Sequence, residues 1–288
     1  MANPILPANG THQLLERYTQ TIIPLKRKQH VVRNFFNTDF VGEPRSGSVK
    51  FTRRNNEVVV ANYDVVAGVN LTTSTTDYVP VLVDQNIAVN ELIDGYEAAA
   101  VPDNVLAQRL DSAAFSLGRT QELFAINVLE SGATDETATT ETAANDVYEG
   151  IVKSIRDIRK IGVDVSTLVV VISDDIHTKL LTDIKYSNTA STIGAELIRE
   201  GIVSRIAGVN VVVSSNLDDG STSDEVTEWI VFSTLYAAKA EEWNVPVTVN
   251  DLKDGAHIGA SALQGRIVYK DVLLDSTTCR RKYIDISD

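Results

Sequence analysis

Hydrophobic and polar positions change period several times along the chain, and each change marks an element. From Ser48 to Asp64 the pattern alternates, with Val49, Phe51 and Arg53 on one side and Lys50, Thr52 and Arg54 on the other. Asn55 and Asn56 tolerate the left-handed backbone of a tight turn, and Val58-Val59-Val60 follow, so a β-hairpin with a cationic tip is expected. Residues 67–77 (AGVNLTTSTTD) form a polar, threonine-rich return. Counted as two arms between Ser46 and Thr75, the hairpin projects roughly 50 Å when extended. A lone hairpin of that length is marginal in water and needs a surface to lie on.

Residues 78–91 predict one long strand, with Val79, Val81, Val83, Ile87 and Val89 on its apolar face. Pro102 and the capping candidate Asp103 open the longest helical stripe: Leu106, Leu110, Ala113, Leu117, Phe124 and Val128, ending near Ser131-Gly132. The resulting rod, roughly 40 Å long at 1.5 Å per residue, exceeds what a simple core helix needs. After a low-complexity polar loop over 133–144, Asn145 is the expected cap of a helix running to Ile161, whose stripe is Val147, Ile151, Ile155 and Ile158. Strands at 167–172, 209–213 and 228–232 then alternate with helices at 174–182 and 193–200, the pattern of a compact α/β lobe. Three late strands (246–250, 263–274 and 277–286) are expected to rejoin the sheet begun at Tyr78, leaving the lobe as an insertion. Pro4, Pro7 and Pro24 limit regular structure in the first 40 residues to a helix near Gln13–Ile23, so that stretch reads as an arm.

Composition narrows the function classes. The 288 residues carry 26 Lys and Arg against 39 Asp and Glu, a net charge of −13, which argues against a generally basic nucleic-acid binder. Yet the first 60 residues are basic, with Arg17, Lys26, Arg27, Lys28, Arg33, Arg45, Lys50, Arg53 and Arg54 against four acids. A basic leading segment on an acidic body offers two surfaces that meet when copies lie side by side; a solvated tail without a partner is the plainer alternative. No run of about 18 apolar residues predicts a membrane span, and the start lacks the order of a secretory signal, so folding in a cytoplasm is the expectation. Cys279 stands alone, and the four scattered histidines make no cysteine-rich zinc site.

Motifs for chemistry are sparse. No phosphate-cradling GxxxxGK[ST], no GxGxxG after a strand and no HExxH occurs. Residues 250–255 have leucine where a calcium loop needs an oxygen ligand, and 259–263 lack the closing glycine of a nucleophile elbow. The best catalytic candidate is Asp174, Asp175 and His177, at the carboxyl end of an expected buried strand, where two carboxylates and an imidazole are suited to hold a divalent ion. A helix start explains the same residues more cheaply, with Ser173 or Asp174 capping and Asp175 at the positive dipole end. Cys279 lies beside Arg280, Arg281 and Lys282, which would lower its pKa, but a packed small residue and a wet cationic strand face account for the group more simply.

The order of parts, an arm, a long hairpin, a strand and a very long helix, an inserted α/β lobe and a return to strands, resembles the major capsid proteins of tailed bacteriophages. Two segments carry the likeness: 201–217 (GIVSRIAGVNVVVSSNL), similar to the family's helix-to-strand passage, and 103–130, similar to its spine helix. The resemblance implies an α+β, HK97-like fold with an N-arm at 1–40, an extended hairpin or E-loop at 41–77, a peripheral domain at 78–144 and 245–288 with its spine helix at 103–130, and an axial domain at 145–244. It implies a non-enzymatic subunit without cofactor or metal that assembles through heterologous contacts into pentamers and hexamers of an icosahedral shell around phage DNA. Contact between subunits is expected at Lys50, Arg53, Arg54, Asn55 and Asn56 of the hairpin and at Arg17, Lys26, Arg27 and Lys28 of the arm. Expected partners are a separate scaffolding protein, a portal and double-stranded DNA bound without sequence preference, with no membrane. The place is the virion capsid, assembled in the host bacterial cytoplasm. Family members that weld subunits use a lysine, for which Lys50 is the available donor, but no asparagine or glutamate partner is assigned and no crosslink is expected. The alternatives are an encapsulin-type compartment enclosing cargo, and an α/β metal-dependent hydrolase using Asp174, Asp175 and His177.

Overall fold

The computed structural model describes residues 27–38, 47–54, 58, 60–71, 73, 76–94, 104–137, 143–183, 204–217, 225–252 and 258–285. The expected helix near Gln13–Ile23 and the one at 193–200 lie outside the described residues. Among the described residues there are three sheets: a two-stranded ribbon of β1 (Ser48–Arg54) and β2 (Thr76–Leu82); a three-stranded sheet in the order β3 (Gln85–Ile93), β10 (Ser261–Leu273), β9 (Ala237–Asp251); and a six-stranded sheet in the order β4 (Thr134–Asp135), β11 (Cys279–Asp285), β8 (Glu225–Ser233), β5 (Leu168–Ile172), β7 (Val209–Val213), β6 (Ser204–Ile206).

The six-stranded sheet is built on β5 (Leu168–Ile172), every residue of which is buried. Its neighbours are β7 (Val209–Val213), parallel, and β8 (Glu225–Ser233), antiparallel. The uninterrupted apolar run follows from cover on both faces. Leu168, Val170 and Ile172 meet α2 (Ala144–Lys160) and α3 (Asp174–Thr182) on one side. Val169 and Val171 meet the C-terminal half of the long helix α1 (Asn104–Gly132) on the other. β6 (Ser204–Ile206) turns tightly into β7 through Ala207 and Gly208, both at positive φ. Asn145 does not cap α2: the helix begins one residue earlier, after Ala143, which makes no side-chain capping bond. Ser173 does cap α3, its hydroxyl accepting from the Ile176 amide at 3.4 Å.

β9 (Ala237–Asp251) and β10 (Ser261–Leu273) form the three-stranded sheet with β3 (Gln85–Ile93). Leu263, Ile267 and Tyr269 of β10 face α1, which answers with Leu110, Ala113 and Leu117 from its N-terminal half and Phe124 beyond its middle. The length of α1 is thereby explained: its 29 residues, about 43 Å at 1.5 Å each, serve two sheets in succession.

Three expectations are corrected. The strand expected over 78–91 breaks at Val83-Asp84 into β2 (Thr76–Leu82) and β3, in different sheets. Lys270 Nζ holds both Asp84 oxygens at 2.8 and 2.9 Å at this break, which draws the Asp84 pKa below its ordinary value. Of the late strands only β9 and β10 join β3; β11 (Cys279–Asp285) pairs with β8 and with the two-residue strand β4 (Thr134–Asp135), extending the lobe sheet. The hairpin does not return at Val58-Val60: β1 (Ser48–Arg54) pairs with β2, Ser48 opposite Leu82 and Arg54 opposite Thr76. This register puts Val49, Phe51, Val79 and Val81 together on Ala238, Ala240 and Val272, so packing between distant segments chooses the strand partner.

Candidate assembly surfaces

The hairpin divides into an anchored root and an unsupported end. Its root buries one face on β9 and β10, while Lys50, Thr52, Tyr78, Pro80 and Leu82 are exposed on the other. Beyond the paired strands the chain reverses at Asp64–Gly68. Asp64 Oδ1 accepts from the amides of Val66 at 2.7 Å and Ala67 at 3.1 Å, and Gly68, at φ +70°, donates its amide to the Asp64 carbonyl at 2.9 Å. Those backbone donors hold the Asp64 carboxyl below its ordinary pKa. The turn displays apolar side chains to solvent: Val60 is 92%, Val65 88%, Val66 96% and Leu71 102% exposed. Single exposed hydrophobics are ordinary, whereas four so exposed between residues 60 and 71 are not.

The basic residues divide differently from expectation. Lys50 is exposed on β1, and the backbones of Arg53 and Arg54 pair with Asp77 and Thr76. Asn55, Asn56, Arg17 and Lys26 lie outside the described residues. Arg27 and Lys28 are engaged with their own chain: Arg27 ion-pairs with Asp111 of α1 and lies over the Phe115 ring, and Lys28 Nζ donates to the Ser215 carbonyl at 2.7 Å. Both are thus tied to the subunit's own body in the described structure.

That attachment continues through residue 37. Glu122 of α1, a buried carboxylate, accepts the amides of Val31 at 2.8 Å, Val32 at 2.7 Å and Arg33 at 3.0 Å, satisfying the open end of a 3-10 turn over Val32–Phe35. Arg33 reaches Asp271 of β10 with Nε at 3.1 Å and Glu241 of β9 with Nη1 at 2.8 Å. Burial pushes the Asp271 carboxyl up to about 6, against the attraction of Arg33. Glu122 and Asp271 carry no motif; their placement among apolar neighbours on α1 and β10 is the one sequence signal that separates them from surface acids.

Asp174 and Asp175 are exposed on the first turn of α3, with His177 half-buried behind them. Among the described residues no group of three His, Cys, Asp or Glu is arranged to hold a metal ion, and no helix is long and apolar enough to cross a membrane. Cys279 is fully buried, and burial drives its thiol pKa up rather than down. The neighbouring cations do not decorate a wet face, as the strand pattern suggested. Arg281 is buried, donating from Nε to Thr227 Oγ1 at 3.0 Å and from Nη2 to Glu225 at 2.9 Å, and the buried Lys282 donates to the Thr137 carbonyl.

A family model described as phage capsid protein matches residues 95–275, the span holding α1, the lobe and most of the three-stranded sheet. The chain belongs to the phage capsid protein family. It is a structural subunit of a capsid shell and has the HK97-like α+β fold. The fold is shared with a solved structure from Mycobacterium phage Che8, 20% identical, with a TM-score of 0.76 over 94% of this chain and 97% of that one. It is shared as well with the mature capsid of bacteriophage PhiM1, 14% identical, TM-score 0.71, covering 95% of this chain and 93% of that chain. The capsid of a native GTA particle is 11% identical, with a TM-score of 0.69 over 96% and 97%. No curated protein matches the chain.

Proposed function

We propose that this capsid subunit builds an icosahedral shell from pentamers and hexamers through heterologous contacts, each subunit laying the end of its hairpin on the next. The observation that carries the reading is the cluster of solvent-facing Val60, Val65, Val66 and Leu71 on a loop that its own body does not cover. Burying such a cluster is favourable only against another molecule, and contact between unlike patches of identical chains closes into rings. In domain terms the arm is 1–40, the hairpin 41–82 once its return strand β2 is included, the peripheral domain 83–144 with 245–278, and the axial domain 145–244 joined by β11 because of its pairing.

The role is structural rather than enzymatic, in the virion capsid after assembly in the host bacterial cytoplasm. A separate scaffolding protein and a portal are its proposed partners, and the enclosed material is double-stranded DNA. The net charge of −13 supports a wall that holds phosphate off and lets DNA pack without sequence-specific adhesion. Expression of the chain followed by size exclusion and negative-stain electron microscopy tests the reading. Rings or closed particles are expected, and a compact monomer at high concentration would count against it. Tight binding of DNA by assembled particles at low salt would remove the charge argument.

A further inference from the structure

Residues 27–37 lie across the waist of α1, where the helix passes from the three-stranded sheet to the six-stranded one, and they touch both sides. Toward the three-stranded sheet, Arg33 bonds Asp271 and Glu241, and Asn37 donates to the Ala237 carbonyl at 2.8 Å and accepts from the Lys239 amide at 3.0 Å. Toward the lobe, Asn216 Nδ2 donates to the Gln29 carbonyl at 2.8 Å, Lys28 holds the Ser215 carbonyl, and Phe36 meets Phe232 edge-on at 5.9 Å. Between them, Val32 is wholly buried in the same apolar cluster as Ile126, Leu129, Ile230 and Leu217.

We propose that residues 27–37 are a strap that couples the α/β lobe to the three-stranded sheet and holds the angle between them, with Glu122 as its lock. The helix beneath is poorly suited to hold that angle alone. Ser116 and Thr120 turn their hydroxyls back onto the carbonyls of Ser112 and Ser116, at 2.9 and 3.0 Å, and Gly118 lies between them. Such back-bonding and a central glycine are the local causes of helix bending. The strap lies against this stretch: His30 stacks on Phe115 with ring centroids 4.3 Å apart, and a Cβ at residue 118 would stand 3.3 Å from the His30 ring. One carboxylate binds three successive strap amides, so its loss frees the strap as a unit rather than bond by bond.

Hydrogen exchange read by mass spectrometry on the full chain tests the coupling. In Glu122→Gln the amide oxygen keeps the Val31 and Val32 donors without the full charge, while the amide nitrogen faces the Arg33 N–H that it cannot accept, so exchange rises about tenfold or more at 33 and less at 31 and 32. A coupling strap also raises exchange at 214–217 on the lobe and 237–241 on the sheet, while β5 stays protected. Reciprocally, Asn216→Ala raises exchange at 31–33, because coupling acts in both directions. Changes confined to the mutated side overturn the proposal. If Glu122→Gln loses protection in β5 as well, Lys28→Ala, which removes one lobe-side bond, decides between the same two outcomes. The consequence for the particle rests on the shell reading: Glu122→Gln yields a spread of particle diameters, and a single unchanged diameter refutes the strap's hold on the angle. Absence of particles from the unaltered chain would instead overturn the shell reading and leave the exchange result standing.

Discussion

Replacing Val65 and Val66 together by serine alters the end of the hairpin without touching its anchored root. Both side chains are almost fully exposed in the subunit, at 88% and 96%, so the exchange removes no apolar burial from the isolated fold. Subunit stability is expected to change by less than about 0.5 kcal/mol, as for surface positions generally. On the proposed shell contact the same side chains become buried on a neighbour. A fully buried valine contributes about 1.5–3 kcal/mol, so the pair is worth roughly 3–6 kcal/mol per contact. At about 1.4 kcal/mol per tenfold, even the lower figure raises the concentration needed for assembly about a hundredfold. Light scattering against subunit concentration, with particles counted by electron microscopy, measures that threshold, and chemical denaturation of the unassembled subunit supplies the control. An unchanged threshold would show that the valines are not at a contact. A loss of subunit stability near 3 kcal/mol would show that they pack on their own body.

Three further outcomes follow from the packing and the charges. Gly265→Ala places a Cβ 2.7 Å from Val247 Cγ2 and 3.2 Å from the Val247 Cα, with Leu117 closing the other side; a loss of about 1–3 kcal/mol is expected in denaturant titration, and a neutral result would mean that β9 yields easily. Asp271 titrates near 3.8 when unfolded and at about 6 in the fold, so its contribution to stability is full below the lower value and is lost as the pH rises through the upper one. The stability of the native chain relative to Asp271→Asn therefore falls by up to about 3 kcal/mol between pH 4 and pH 7, whereas a difference constant with pH contradicts the assignment. Cys279, fully buried with its thiol pKa raised, should resist iodoacetamide in the native subunit and react only on unfolding, as read by mass spectrometry.

Elements governed by local periodicity were legible in the sequence. The stripe through Leu110, Ala113 and Leu117 predicts α1, and the run 168–172 predicts a strand covered on both faces, because period and length are properties of neighbouring residues. The order of the parts sufficed for the family likeness. The charged residues of the arm were harder to place: Arg27 and Lys28 were expected only at a neighbouring subunit, because nothing local shows that Asp111 and Ser215, more than 80 positions away, lie beside them. The hairpin's return strand was not legible for a related reason: Asn55-Asn56 offered a local turn, whereas the strand that pairs with β1 and completes its apolar face is β2, more than 20 residues on.

By itself the sequence determined where α1, α2, α3, β5, β7 and β8 lie, the single thiol, and the acidic body with its basic leading segment. Only the tertiary structure decided that β11 closes the lobe sheet, that a buried Glu122 holds three strap amides, and that the hairpin turns at Asp64–Gly68 with its valines outward. Local propensity is set within a few residues, whereas strand register and buried charge pairs are chosen by which distant surfaces exclude water together, and that choice is made only when the chain is folded.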